Sequence, residues 1–347
     1  ELEFGFRHCE GKIIAITGSN GKTTTTQLVH HLMITAGMDA ALTGNIGFSF
    51  AGHIATNPAA WYVVEVSSFQ LDNISSFRPN IGILLNITPD HLDRYSYSFD
   101  AYALAKWKLA INQTSDDLLI YSMDDDGIAN TIQRNLLRAD LMGISASEMS
   151  DGFVQTIAES SYSLSNKHLQ GKHNQLNAAC AVEAVLAAGA DASLIQTGLD
   201  TFVNAPHRLE EIAIVNGVRY INDSKATNVD AVFYGLGAVQ APIIWIAGGL
   251  DKGNDYTALE QLVEIKVKGL ICLGLDNTKL KTYYGSRIAW IREAGSAQEA
   301  IDLANEIAIS GDTVLLSPAC ASFDLFKNYE DRGDQFRLAV EGLIHTN

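Results

Sequence analysis

The clearest chemistry in the chain lies in Gly18, Ser19, Asn20, Gly21, Lys22, Thr23 and Thr24. Glycines at that spacing before Gly-Lys-Thr let the backbone turn tightly and aim N–H groups at an anion. Lys22 adds a full positive charge, the start of a helix adds a partial one, and Thr23 or Thr24 offers a hydroxyl to Mg²⁺. This is the chemistry of a triphosphate cradle. The match to GxxxxGK[ST] is imperfect, because Ile16 stands where the first glycine belongs and Gly18 lies only three residues before Gly21. A plain glycine turn is the alternative, and the loop alone does not name a reaction.

Other residues gain meaning from position. Glu65 ends the apolar run Trp61-Tyr-Val-Val, and an acid at the carboxyl end of a central strand suits a Mg²⁺ ligand better than an edge charge. Polar side chains crowd Thr88-Pro-Asp90-His91-Leu-Asp-Arg94, where His91 is a candidate second metal ligand and a hydrogen-bonded structural histidine is the other reading. Asn174 and Asn177 share one face of a first helical turn and suit a purine edge or a phosphate. Lys225, Thr227, Lys252 and Ser322 sit in polar loops able to hold an anionic substrate. Taken singly, Lys106 and Lys108 read as solvated helix charges and Arg208 as surface charge. Asp124-Asp125-Asp126 reads as a solvated turn, lacking the alternating spacing of a calcium loop.

These residues need elements to carry them. Apolar runs predict strands at 13–16, 61–66, 81–87 and 117–121, with helices after Lys22, over 98–111 and from Gly171 to near 188. The serine-rich stretch between about 138 and 170 predicts small antiparallel strands at the sheet margin. Past a break at 200–208 comes a hairpin around Asn216-Gly217, then alternating α/β with strands at 242–247, 269–273, 288–291 and 313–316. The boundary falls between 204 and 205. A P-loop-type, mostly parallel sheet domain for ATP over 1–204 is expected to precede a smaller Rossmann-like α/β domain for the second substrate over 205–347. Neither half carries GxGxxG or GxSxG.

Composition narrows the class. The 347 residues are 47% hydrophobic and 18% charged, which predicts a folded chain with buried cores. A net charge of −16 argues against a nucleic-acid backbone as the main partner, and no apolar run reaches membrane-spanning length. Four scattered cysteines predict a reduced, cytoplasmic protein without zinc or a disulfide framework. On chemistry alone a kinase, an ATP-driven ligase and a nucleotide-gated binding module all fit.

The ordered motifs together resemble the Mur ligases of peptidoglycan synthesis. They are Thr17-Gly-Ser-Asn-Gly-Lys-Thr23, Glu65-Val-Ser-Ser-Phe-Gln70, Asp90-His-Leu-Asp-Arg94, His173-Asn-Gln-Leu-Asn177, Pro206-His-Arg208, Asn222-Asp-Ser-Lys-Ala-Thr-Asn228 and Ser317-Pro-Ala-Cys-Ala-Ser322. The last two resemble the D-glutamate-adding branch, and the shortened loop becomes a family mark. The resemblance implies that Lys22 and Thr23 hold phosphates and Mg²⁺, that Glu65 shares that metal, and that His91 and a carbamylated Lys106 hold a second. It also implies that Asn174, Asn177, Arg208 and Asp223 surround the nucleotide, and that Asn45 and Ser67 face a nucleotide-sugar substrate. Thr227, Lys252, Ser322 and Phe323 would seat D-glutamate with Lys225 nearby; Tyr329 replaces a common phenylalanine.

The implied reaction activates UDP-N-acetylmuramoyl-L-alanine with ATP as an acyl phosphate, which the D-glutamate amine attacks, in a cytoplasmic monomer. The family also has an N-terminal UDP-binding domain. A chain beginning at Glu1, just before the loop strand, is expected to lack that domain and to turn over weakly. The alternatives are another amino-acid-adding Mur ligase, a folylpolyglutamate-type ligase, or a non-catalytic nucleotide-binding module.

Overall fold

A strand buried on both faces needs a continuous apolar run, and Ile13–Ile16 and Tyr62–Val64 supply two such runs, at 0–2% exposure. In the computed structural model, which describes every residue except Gly47, His91, Thr346 and Asn347, these runs form the centre of a six-stranded sheet. Its strands are β1 (Lys12–Thr17), β2 (Ala40–Gly44), β3 (Trp61–Glu65), β4 (Ile81–Leu84), β5 (Leu118–Ser122) and β6 (Asp140–Ile144), in the order β2-β3-β1-β4-β5-β6. All pairs are parallel, and Ile16 lies opposite Glu65. The phosphate-loop strand is therefore flanked by the strand that ends in Glu65.

Alternation along β1 divides the core. Ile14 and Ile16 pack with Leu28, Val29, Leu32 and Met33 of the helix Lys22–Thr35 and with Val182 and Val185 of the helix Lys172–Ala187. Ile13 and Ala15 face the other side, with Tyr102 and Trp107 of the helix Phe99–Trp107. The serine-rich stretch departs from expectation. Only β7 (Phe153–Gln155) and β8 (Ser161–Ser163) are antiparallel, whereas β6 extends the parallel sheet. As an edge strand β6 is largely uncovered, so it lacks the apolar run that marks the central strands. Edge strand β2 went unread for a similar reason.

Contacts divide the chain into two compact units, Glu1–Asn204 and Ala205–Asn347, and the second has its own six-stranded sheet. Its strands are β9 (Glu210–Val215), β10 (Val218–Asn222), β11 (Ile243–Gly248), β12 (Val267–Leu273), β13 (Ile291–Ala294) and β14 (Thr313–Ala319). The order is β13-β12-β11-β14-β10-β9, parallel except for the β9–β10 hairpin around Asn216-Gly217. Edge strand β13 starts where the expected strand 288–291 ends; Ile288 serves as a core residue before it. The α/β class expected for both halves is what the chain adopts. Among the described residues no helix is long and apolar enough to cross a membrane.

Trp245 in β11 anchors the second core. It is fully buried, meets Tyr284 edge-on at 5.5 Å, and donates its indole N–H to the Ser317 carbonyl at 2.7 Å. Trp245→Phe leaves that carbonyl without its donor and opens a gap. We expect a loss of about 2–4 kcal/mol in stability, read from urea unfolding of the second unit. An unchanged midpoint would contradict this anchoring.

Candidate active site

The loop after β1 is held from three directions. Asn86, just past β4, accepts from Asn20 N at 2.8 Å and donates to Asn20 O at 3.0 Å, while its own carbonyl takes Ser19 N at 3.0 Å. The Ser19 hydroxyl donates to Thr88 O at 2.8 Å and lies 2.8 Å from the Tyr102 hydroxyl. The backbone N–H groups of Ser19 and Asn20 are thus spent on holding the loop. What faces an incoming anion is the first turn of the helix Lys22–Thr35, whose N–H groups have no carbonyl one turn back. Gly21 is required between them: its φ is +83°, and a Cβ there would lie 2.5 Å from Asn177 Oδ1.

Two lysines meet at this loop. Lys22 Nζ donates to Gly18 O at 2.7 Å and to Ser19 O at 2.8 Å, and Lys106 Nζ donates to the same Gly18 O at 2.7 Å. Lys106 is 2% exposed, so its reading as a solvated helix charge is overturned. The helix Phe99–Trp107 turns it inward, over the ring of Tyr102 at 4.7 Å. Burial, and then the nearby Lys22 charge, push the Lys106 amine well below the usual lysine range, with Asp90 opposing. Both burial and Lys22 shift the amine toward its neutral form.

Beside the loop, Glu65 is 2% exposed; Oε1 accepts from Asn45 Nδ2 at 3.0 Å, and Oε2 is buried without a hydrogen-bond partner. A buried carboxylate oxygen left open is a hard donor suited to Mg²⁺. Ser67 starts a capping box with Gln70 right after this strand. Thr24 donates to Asn204 Oδ1 at 3.3 Å, and Thr23 lies beside it in the first helical turn. Asn177 Nδ2 donates to Asn174 Oδ1 at 3.2 Å, and Asn174 Nδ2 to Gln170 O at 3.0 Å, so both asparagines are buried and fixed. His91 lies outside the described residues. Among the described residues no three His, Cys, Asp or Glu side chains converge on a metal-binding cluster.

The second unit gathers its own candidates on the loops after parallel strands. Asp223 ends the β10 run; it accepts from the Ser317 hydroxyl at 2.9 Å and Leu209 N at 3.2 Å. Lys225 N donates to His207 O at 3.1 Å, beside Arg208, and Lys225 Nζ sits 3.6 Å from the centre of the Tyr329 ring. Thr227 lies two residues on, with its N–H on Lys225 O at 2.9 Å. Lys252 is exposed on a loop shaped by Asp251, which accepts from Gly253 N and Asn254 N at 2.7 and 3.0 Å. Ser322 is buried and Phe323 is 68% exposed. Gly249, at φ +126°, is needed where its Cα comes up against Ala321 O.

Sequence reading missed three residues. Asn86 breaks an apolar run at a strand end, and Tyr102 precedes Lys106 by one helical turn, so both carried a weak signal. Arg332, buried in the second unit, carried none.

With this geometry in place, comparison with known proteins is informative. Residues 16–185 match the family model described as Mur ligase middle domain, and residues 207–320 the one described as Mur ligase, glutamate ligase domain. A Porphyromonas gingivalis protein named UDP-N-acetylmuramoylalanine–D-glutamate ligase is 48% identical over 99% of this chain and 79% of its own length. One of the same name from Christiangramia forsetii is 44% identical, again over 99% and 79%. Among solved structures, MurF ligase from Thermotoga maritima in complex with ADP superposes with a TM-score of 0.76 at 15% identity, covering 98% of this chain and 83% of its own. Mycobacterium tuberculosis folylpolyglutamate synthase complexed with ADP gives 0.75 at 16%, covering 97% and 92%. At those identities the structural likeness is one of fold.

Asp223 generates a pH dependence. Burial pushes its carboxyl up to about 7, against the Ser317 hydroxyl, the Leu209 N–H and Arg208. The folded chain therefore holds this proton more tightly than the unfolded one. The stabilisation is complete below the ordinary aspartate range near 4 and is lost as pH rises through about 7. We expect Asp223→Asn to flatten the slope of unfolding free energy between these limits, measured by denaturant titration at several pH values. A slope equal to wild type would place the proton elsewhere.

Proposed function

The chain belongs to the Mur ligase family, and from that premise we propose that it is an ATP-dependent ligase joining D-glutamate to UDP-N-acetylmuramoyl-L-alanine in peptidoglycan synthesis. The choice of D-glutamate is supported by relatives of that name matching nearly the full chain at 44–48% identity. The single observation that carries the chemistry is Lys106, buried with its amine on the Gly18 carbonyl beside Lys22. A kinase-like cradle needs the second lysine for nothing obvious. An amide-forming site that holds a second Mg²⁺ has a use for it, because a buried amine shifted toward its neutral form can become a carbamate ligand for that ion.

A carboxylate is a poor acyl donor, so the γ-phosphoryl group of ATP moves onto the alanyl carboxylate, giving an acyl phosphate and ADP. The amine of D-glutamate attacks the acyl carbon, phosphate leaves, and the amine gives up a proton. Lys22 trades its loop carbonyls for phosphate oxygens, and the first-turn N–H groups orient them. Removing one such positioned donor typically lowers the rate roughly 10²–10³-fold. Asn174, Asn177, Arg208 and Asp223 are proposed around the nucleotide. Thr227, Lys252, Ser322 and Phe323 are proposed around D-glutamate, with Lys225 and Tyr329 alongside.

Glu65, with its open oxygen, and Thr23 would hold a Mg²⁺ that offsets phosphate charge when bound. A neutral Lys106 amine is also the form that takes up CO₂, releasing a proton to leave a carbamate, the carboxylate that would hold a second Mg²⁺ with His91. A cytoplasmic setting accords with the nucleotide-linked substrates.

Phosphate release with ATP, UDP-N-acetylmuramoyl-L-alanine and a panel of amino acids tests the reading. D-glutamate should be selected. Selection of another amino acid would move the chain to a different Mur or folylpolyglutamate-type activity, and release with none, even when the family's N-terminal UDP-binding domain is supplied, would favour a non-catalytic nucleotide-binding module. Lys106→Ala should abolish release, and short carboxylates such as acetate should restore part of it. An unchanged rate would return Lys106 to a structural role.

A further inference from the structure

Arg332 is 1% exposed inside the second unit, in the first turns of the helix Tyr329–His345. A buried cation must be matched by acceptors, and here they are carbonyl and hydroxyl oxygens. Its Nε donates to the Ser224 hydroxyl at 2.9 Å, Nη2 to Ser224 O at 2.9 Å, and Nη1 to Cys320 O at 3.2 Å, with Gly248 O 3.5 Å away. Those oxygens belong to three separate stretches, at the ends of β10, β14 and β11. The same stretches carry Lys225 and Thr227, Ser322 and Phe323, and Lys252.

Converging carbonyl dipoles repel one another unless a cation lies between them, and the planar guanidinium fixes their directions as well as offsetting them. Further contacts show how tightly the loops are set. Ala319 adopts φ +61°, unusual for a residue with a Cβ, with its N–H on Ala226 O at 2.9 Å and its carbonyl on Asn254 Nδ2 at 2.9 Å. Leu250 N reaches Ala321 O at 2.8 Å, and Ala321 N reaches Leu250 O at 3.3 Å. The Ser224 hydroxyl donates to Tyr329 O at 2.8 Å, tying the loop to the residue whose ring carries the Lys225 ammonium.

We infer that Arg332 is the positioning residue of the acceptor surface: by gripping the carbonyls of Ser224 and Cys320 beside Gly248 it holds the loops of Lys225, Thr227, Lys252 and Ser322 in one register. It acts through these loops and does not touch substrate. The inference rests on the reading of this unit as the amine-acceptor side. Burial lowers the guanidinium to about 10, which leaves it charged at neutral pH.

The test is Arg332→Lys in the full chain, read by amide hydrogen exchange and by steady-state phosphate release with ATP, UDP-N-acetylmuramoyl-L-alanine and D-glutamate. A lysine cannot reproduce the fork, and the carbonyls it abandons are left short of donors. We expect amides of Lys225, Ala226, Leu250 and Ala321 to exchange about tenfold faster or more, and KM for D-glutamate to rise by a similar factor. Exchange in β11 and β12 and KM for ATP should stay within about twofold of wild type. Uniformly faster exchange across the unit, with both KM values moved together or neither moved, overturns the inference in favour of plain fold stabilisation.

If Arg332→Lys gives no cooperative melt, Ser224→Ala replaces it, removing the hydroxyl between Nε and Tyr329 O. The same local pattern at smaller size supports the inference, and unmoved loops overturn it. Loosened loops in a chain whose wild type releases phosphate with another amino acid but not with D-glutamate overturn the D-glutamate reading while supporting the clamp. Unmoved loops in an active chain overturn the clamp alone.

Discussion

The carbonyl oxygen of Gly18 is the point on which the first unit turns. Lys22 and Lys106 both donate to it, from two helices on opposite faces of the sheet. Burial of Lys106, and then repulsion between two ammonium groups sharing one neutral acceptor, shift its amine toward the neutral form. That constraint explains the surroundings. Tyr102 lies under Lys106, and Asn86 holds the loop backbone that carries the shared oxygen. The loop is held as if by its own ligand set before any phosphate arrives.

The second unit faces the converse arrangement. There the carboxyl ends of three parallel strands bring carbonyl oxygens together, and one guanidinium serves several of them. Both sheets obey one rule. Parallel strands present their carboxyl ends on a common edge, so cations gather there to meet protein carbonyls, and those that face outward favour anionic ligands. The structural and ligand-facing roles of these cations grow from one electrostatic need. Lys225 shows the overlap, with its backbone tied to His207 and its ammonium against the Tyr329 ring.

Much of this was legible beforehand, and the exceptions have common causes. Central strands such as β1, β3 and β11 announced themselves because burial on both faces demands unbroken apolar runs. Edge strands β2, β6 and β13 did not, since an uncovered face accepts polar or small residues. The phosphate loop was readable because its glycines and lysine act within one turn. Lys106 misled as a single residue: helical spacing in Phe99–Trp107 shows that a lysine is present, but not whether its face is solvated or buried.

What the sequence alone determined is local: where the backbone can turn left-handed at Gly21, which runs become strands, and which ordered motifs mark the Mur ligase family. Only the tertiary structure decided which groups share an oxygen. The meeting of Lys22 with Lys106 spans 84 positions from one lysine to the other, and Arg332 lies 108 from Ser224. At such separations no periodicity or spacing links the partners. The charge on a buried lysine or arginine takes its meaning from atoms that only chain folding delivers.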